Sequence, residues 1–244
     1  MNLEAQQQDY LRSRPSFLGR GIERLTNPFG KALASVVPNS LVEGIIKGID
    51  GAASKPDLMS FEHDMADIVA CQNAAKKVER YARTVNAASG AAAGFGGALT
   101  ASADIPATIA VALRNIRDTG RAYGYDGDGA REQVFRLQVL EISALDDHAE
   151  RLDRLAALEA DITGDGSLKP VDTKSIEPLV DQAVERVSRA MAFAAFRRRA
   201  GMIVPIVGSA VGGIVNSQFQ RDVSKAARYA FQARRIKAGI KQDV

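Results

Sequence analysis

An all-α fold, organised as a single multi-helix domain, is what this sequence predicts, and three observations predict it. Apolar residues recur at helical spacing along most of the chain, and no stretch alternates in the manner of a half-buried strand. Tryptophan is absent and aromatics make up only 6% of the residues, so a core has to be assembled from Ala, Val, Ile and Leu, small side chains that let helices approach closely. With 244 residues, 46% of them hydrophobic, the chain can bury one sizeable core or two small ones and is too apolar to be disordered as a whole.

The elements follow in order. Residues 1–26 are polar and basic with Pro15 and Gly19, and read as an arm or a short first helix ahead of a helical domain over 27–244. Leu33, Val36, Val37, Leu41, Ile45, Ile46 and Ile49 suggest two short helices broken near Pro38, the second capped by Asn39 or Ser40. A helix is expected to start near Ser60, with Phe61, Met65, Ile68, Gln72, Ala75, Val78 and Ala82 on one face. The next, from about Ile105, buries Ile105, Ile109, Leu113, Ile116 and Tyr123 and ends at Gly124. Residues 131–160 form one long or two shorter amphipathic helices, and another covers about 175–199, ending in Arg197, Arg198 and Arg199. A basic helix closes the chain.

Two stretches interrupt this pattern. Thr84 to Ala103 and Ala200 to Gln220 carry no charge, although a quarter of all residues are charged. Each holds a Gly-x-x-x-Gly pair, Gly90 with Gly94 and Gly208 with Gly212, and Gly44 with Gly48 forms a third. That spacing puts both glycines on one helix face, where another backbone can approach. Both runs approach the length of a membrane span, about 20 residues, but the first has few strongly apolar side chains and the second is broken by Pro205 and Asn216. Neither reads as a simple transmembrane helix. Two Gly/Ala-rich hairpin segments packed together remain, either as a soluble core or as a shallow or re-entrant insertion.

Charge is unevenly distributed. From Arg186 to Val244 there are 12 Lys and Arg against 2 Asp and Glu, a balance of +10, which leaves 20 against 27, or −7, for residues 1–185. The basic end calls for an anionic partner or an acidic surface within the same fold. In the last helix Arg221, Lys225, Arg228, Gln232 and Arg235 fall on one stripe, with Val223, Ala227 and Ala230 facing away. An adjoining apolar run and the lack of any nucleic-acid motif favour anionic lipid over nucleic acid, with Arg197, Arg198, Arg199, Arg221, Lys225 and Arg228 as the contacting residues.

Two blocks carry a family resemblance: AAAGFGGALTASADIPATIAVALRNIRDTGRAYGYD, residues 91–126, and VPIVGSAVGGIVNSQFQRDVSKAARYAFQARRI, residues 204–236. They resemble the signature and the C-terminal segment of bacterial EcsC-family proteins. The resemblance implies a cytoplasmic protein peripheral to the inner membrane, with a membrane protein such as an ABC transporter among its partners, and it implies no reaction.

Candidate sites are few. Asp104 precedes Ile-Pro and suits an N-cap, with Pro106 in the first turn; alternatively Asp104 and Arg114 face a polar cavity beneath the hairpin. In DITGDGSLKPVD, Asp161, Thr163, Asp165, Ser167 and Asp172 take positions one, three, five, seven and twelve of a calcium loop, with Gly166 at the turn. Lys169 at position nine and an Asp in place of Glu at twelve weaken that match, so Ca²⁺ is the one candidate cofactor and a solvated loop the competing reading. The single Cys71 with His63 and His148 leaves no internal disulfide and too few ligands for a Cys/His zinc site, and both histidines are expected at the surface. No catalytic set emerges. The N-terminus lacks the apolar core of a secretory signal, and a reducing cytoplasm is the expected location.

Overall fold

The computed structural model describes residues 3–13, 39–53, 56, 58–94, 101–145, 147–200 and 208–239. Among these residues are eight α-helices: α1 Leu3–Arg12, α2 Asn39–Ala53, α3 Ile68–Gly94, α4 Ala101–Ala122, α5 Ala130–Ala144, α6 His148–Ala160, α7 Thr173–Ala200 and α8 Gly208–Lys237. The described residues contain no strand beyond one antiparallel bridge between Ile162 and Leu168. The first of the two short helices expected over 27–51, and Met202 to Val207, lie outside the described residues.

The last helix, α8, is the axis of the bundle and touches α1, α3, α4, α5 and α6. Its inner positions alternate small with large: Ala226, Ala227 and Ala230 admit neighbouring helices, and Phe219, Val223 and Phe231 fill what remains. Phe231 packs edge-on against Phe135 of α5 and lies beside Gly120 of α4, where an added Cβ would come within 2.6 Å of its ring. Tyr123, Ile109 and Ile116 from α4 and Leu137 and Leu140 from α5 complete the core.

Polar side chains set the register of α8 on α4. Asn115 donates to the Ser224 hydroxyl at 2.9 Å and the Gln220 side-chain oxygen at 3.2 Å, while Gln220 donates to the Thr108 carbonyl at 3.3 Å. All these groups are buried, so any slip would strand several hydrogen-bonding groups away from water.

Two expected boundaries move, and one open choice is decided. The helix expected from Ser60 begins at Ile68, because Asp67 caps it by accepting hydrogen bonds from the Val69 and Ala70 amides. Leu58 to Asp67 instead form an irregular strap. The helix expected from Ile105 already begins at Ala101, so Asp104 lies within its opening residues and Pro106 inside it. Residues 131–160 form two helices, with Asp147 capping the second through the Glu150 amide. At the end of α4 the expected glycine stop is present: Gly124 has φ +85°, its amide donates to Arg121 O, and the Tyr125 amide donates to Gly120 O.

Candidate functional site

Side chains fix the directions of the helices. Arg83 donates to Ser217, Arg228 to Glu79 and Arg235 to Met65 O, so α3 and α8 run antiparallel. Thr108 and Asn115 meet Gln220 and Ser224 while Tyr123 meets Gln232 and Arg235, so α4 and α8 run parallel. Gly48 lies against Ile109 and Pro106, and Arg117 donates to Ala52 O, which sets α2 parallel to α4. The N-termini of α2, α4 and α8 therefore share one end of the bundle with the C-terminus of α3. The described parts of the uncharged runs on these helices, 84–94, 101–103 and 208–220, belong to that end.

The change from charged to uncharged sequence occurs at one level on both helices. Arg83 is the last charge of α3 and Arg221 the first of α8. Arg83 Nε donates to Ser217 Oγ at 3.2 Å, four residues from Arg221, which ties the two transitions together. Beyond them the register carries Gly90 and Gly94 of α3 and Gly208 and Gly212 of α8 to the same pole. The side-chain surroundings of these four glycines lie outside the described residues.

Below the boundary a basic seam runs between the two helices. Lys76 and Arg80 of α3 and Arg221 of α8 are exposed; Arg83, Lys225 and Arg228 are half-buried. One acid enters the seam: the Glu79 side chain, 15% exposed, binds Arg228 and lies 3.9 Å from Arg83 Nη1. Asp222 falls on another side of α8, near Tyr10. The stripe read from sequence is thus only partly an outer face. Gln232 and Arg235 are 2% and 7% exposed, because α1, α4 and α5 enclose the later turns of α8. Arg235 is spent on Met65 O at 2.5 Å. Arg197, Arg198 and Arg199 belong to the last turns of α7, and their side chains lie outside the described residues.

Asp104 and Arg114 are ten residues apart on α4, roughly 15 Å of helix, and the structure does not bring them together. Asp104 has no described side-chain environment, and Arg114 binds Pro56 O through Nε at 3.1 Å and Nη2 at 2.6 Å. What lies near Arg114 is Asp118, which sequence reasoning missed. It is fully buried and accepts from the Leu58 amide at 2.6 Å, and burial pushes its carboxyl up to about 6 despite Arg117 and Arg114. A signal was available in RNIRD, an Arg and an Asp four apart on a helix, but the same pattern usually marks a solvated pair. A second buried acid, Glu141, is also raised by burial, with Arg154 Nε at 3.1 Å and Arg186 Nε at 3.8 Å.

In the 161–172 loop the oxygens have other partners. Asp161 meets Arg131 at 2.8 Å and Gln138 at 3.2 Å, and Asp172 accepts from the Lys174 amide at the start of α7. Asp165 accepts from Thr163 and from the Ser167 amide and hydroxyl, bonds that hold its carboxyl below the usual range. Gly166 has φ +81° and donates no side chain, which lets Arg234 Nε reach its carbonyl at 2.8 Å. Among the described residues no cluster of three acidic, His or Cys side chains is arranged to hold a metal. Cys71 is buried, with its thiol raised by burial. His63 is half-buried and bonds Ala122 O at 2.9 Å on the strap, whose residues Met59 to His63 line a cleft of about 430 Å³ against Ala70, Asn73, Ala74 and Lys77.

The profile of the EcsC protein family matches residues 2–236. The chain belongs to the EcsC family. Two Bacillus subtilis (strain 168) proteins are similar to it: the uncharacterized protein YdbA, 28% identical over 155 residues, covering 63% of this chain and 53% of that protein, and protein EcsC, 21% identical over 226 residues, covering 92% and 89%. The chain thus spans about half the length of the first relative and most of the second. No solved structure matches. For this EcsC-family chain, no helix among the described residues is long and apolar enough to cross a membrane.

Proposed function

We propose that this EcsC-family protein is a peripheral membrane-binding module of the cytoplasmic face, setting its uncharged pole into an anionic lipid surface and contacting headgroups with the basic seam. The observation that carries the reading is the common level at which α3 and α8 lose their charges, bordered by Arg83 and Arg221. Lengths support an interfacial position. Thr84 to Gly94 rises roughly 16 Å beyond the boundary and Gly208 to Asn216 roughly 14 Å, about half the ~30 Å hydrocarbon core. Three helix N-termini at that pole add partial positive charge of about half a unit each, one of them offset by the C-terminus of α3, and the positive balance favours an anionic surface. A membrane-protein partner, such as a transporter, would be recognised beside the same headgroups.

Liposome flotation tests this. Each cation near the surface contributes about 1 kcal/mol of attraction that salt weakens, whereas burial of the uncharged pole does not depend on salt. The protein should float with phosphatidylglycerol-containing vesicles at low salt, be partly retained at high salt and bind neutral vesicles little. Replacing Arg221, Lys225 and Arg80 by Gln should remove the salt-sensitive part. Failure to float with anionic vesicles at low salt would sink the reading and leave a helical interaction module whose basic seam meets an acidic protein.

A further inference from the structure

Two guanidinium groups from different helices converge on one carboxylate at the charge boundary. Arg228 reaches Glu79 from α8, and Arg83 lies beside it on α3 with Nη1 3.9 Å from Oε1. Arg83 is one residue from the nearer limit of its uncharged run, and Arg228, eight residues from its own, reaches back to Glu79, five residues from the run on α3, so the cluster lies just below the level at which headgroups would sit. Lys76, one turn from Glu79, and Lys225, one turn from Arg228, flank the pair. A fork of two guanidinium groups with flanking ammonium groups matches the charge and hydrogen-bonding geometry of a phosphate diester. Among the described residues of the seam, the one anion opposed to all this positive charge is Glu79.

We infer that Glu79 occupies a lipid phosphate site: in the free protein its carboxylate stands where the phosphate of an anionic phospholipid binds between Arg83 and Arg228, and the headgroup displaces it at the membrane. The inference rests on the membrane reading above and deepens it. Glu79 is suited to yield its place. Its side chain keeps 15% exposure, and the two arginines keep 42% and 18%, so the carboxylate can swing towards water without opening the core. The Glu79–Arg228 pair is mostly sheltered, so Arg228 needs an anion in this place, and an incoming phosphate takes over from the carboxylate as its counter-ion. Arg83 also stays anchored through Ser217, which holds one fork of the site in position when Glu79 leaves.

The test compares Glu79→Gln with Glu62→Gln, which removes an equal charge from the strap near the opposite end of α3. On vesicles of phosphatidylcholine with phosphatidylglycerol, Glu79→Gln should bind roughly fivefold more tightly than wild type, the effect of one further effective charge at the surface, and Glu62→Gln should bind as wild type does. Equal affinities for the two variants would overturn the inference. Wild-type protein that fails to float at all would instead overturn the membrane reading beneath it. Should Glu79→Gln melt well below wild type, Arg83→Gln with Arg228→Gln supplies the converse: weaker vesicle binding supports the site, and unchanged binding removes it. Soluble glycerol phosphate distinguishes the source of the anion. Competition by millimolar glycerol phosphate for vesicle binding by Glu79→Gln would show a site for free phosphate compounds and overturn the assignment to lipid.

Discussion

Asp118 shows how much one side chain can depend on its surroundings. In sequence it is one more acid on an amphipathic helix; in the structure it is sealed under the strap, with Leu58 N–H bound to one oxygen and Arg117 Nε 3.9 Å from the other. Its carboxyl titrates at about 6, against 3.8 in an exposed chain, so the folded state holds the proton more tightly than the unfolded one. Stability from this group is therefore highest below pH 3.8, falls as pH rises towards 6 and stays reduced above it. The full difference corresponds to about 3 kcal/mol, an upper bound once the strap relaxes. Asp118→Asn, which keeps an acceptor for Leu58, should raise the melting temperature at pH 7 and lose that advantage below pH 4. A variant less stable than wild type at both pH values would show that the ionised form is well compensated by Arg114 and Arg117.

Among the elements, the contact of α2 with α4 is decided by a missing side chain. A Cβ on Gly48 would lie 2.5 Å from Ile109 Cγ2, 2.6 Å from Ile109 Cβ and 3.1 Å from Pro106 O. Ile109 is fully buried and Pro106 O is backbone, so neither neighbour can retreat far. Gly48→Leu should cost roughly 1–3 kcal/mol or more by overpacking, read as a lower denaturation midpoint. An unchanged midpoint would mean that α2 can lift from α4 without loss. Of the residues in the three Gly-x-x-x-Gly pairs, the described contacts account for Gly48. The motif signals only that a face is small; the partner that approaches it is chosen by the rest of the fold.

Across the whole molecule, α8 turns a set of amphipathic helices into one body. Even α1 is held to it: Gln7 donates to Tyr229 O and Gln232 Oε1 at 3.0 Å each, and the Tyr10 ring packs at a tilt against Tyr229, 4.9 Å between centroids. Arg151 of α6 closes over the Tyr10 ring at 5.2 Å and binds Ser13 O. Deleting residues 1–13 should accordingly lower the thermal midpoint by several degrees, since it uncovers Tyr229 and leaves Gln232 and Arg151 short of partners. A deletion that melts like the full chain would return these residues to the status of an arm. Helix content, the faces of α3 and α4, the glycine stop at Gly124 and the two uncharged runs were legible in the sequence, because helical spacing and backbone conformation are local properties of neighbouring residues. Local spacing could not reveal that Arg234 and Arg235 face inward, since a stripe of cations looks the same on a solvated helix and on one enclosed by others. Nor could it pair Arg83 with Ser217 or Glu79 with Arg228, residues 134 and 149 positions apart. The sequence by itself determined that this protein is helical and that two of its segments avoid charge; only the tertiary structure, by running α3 against α8, decided that the parts of those segments on these two helices share one pole and that a single glutamate stands among the cations below it, because burial and register are set by which helices meet.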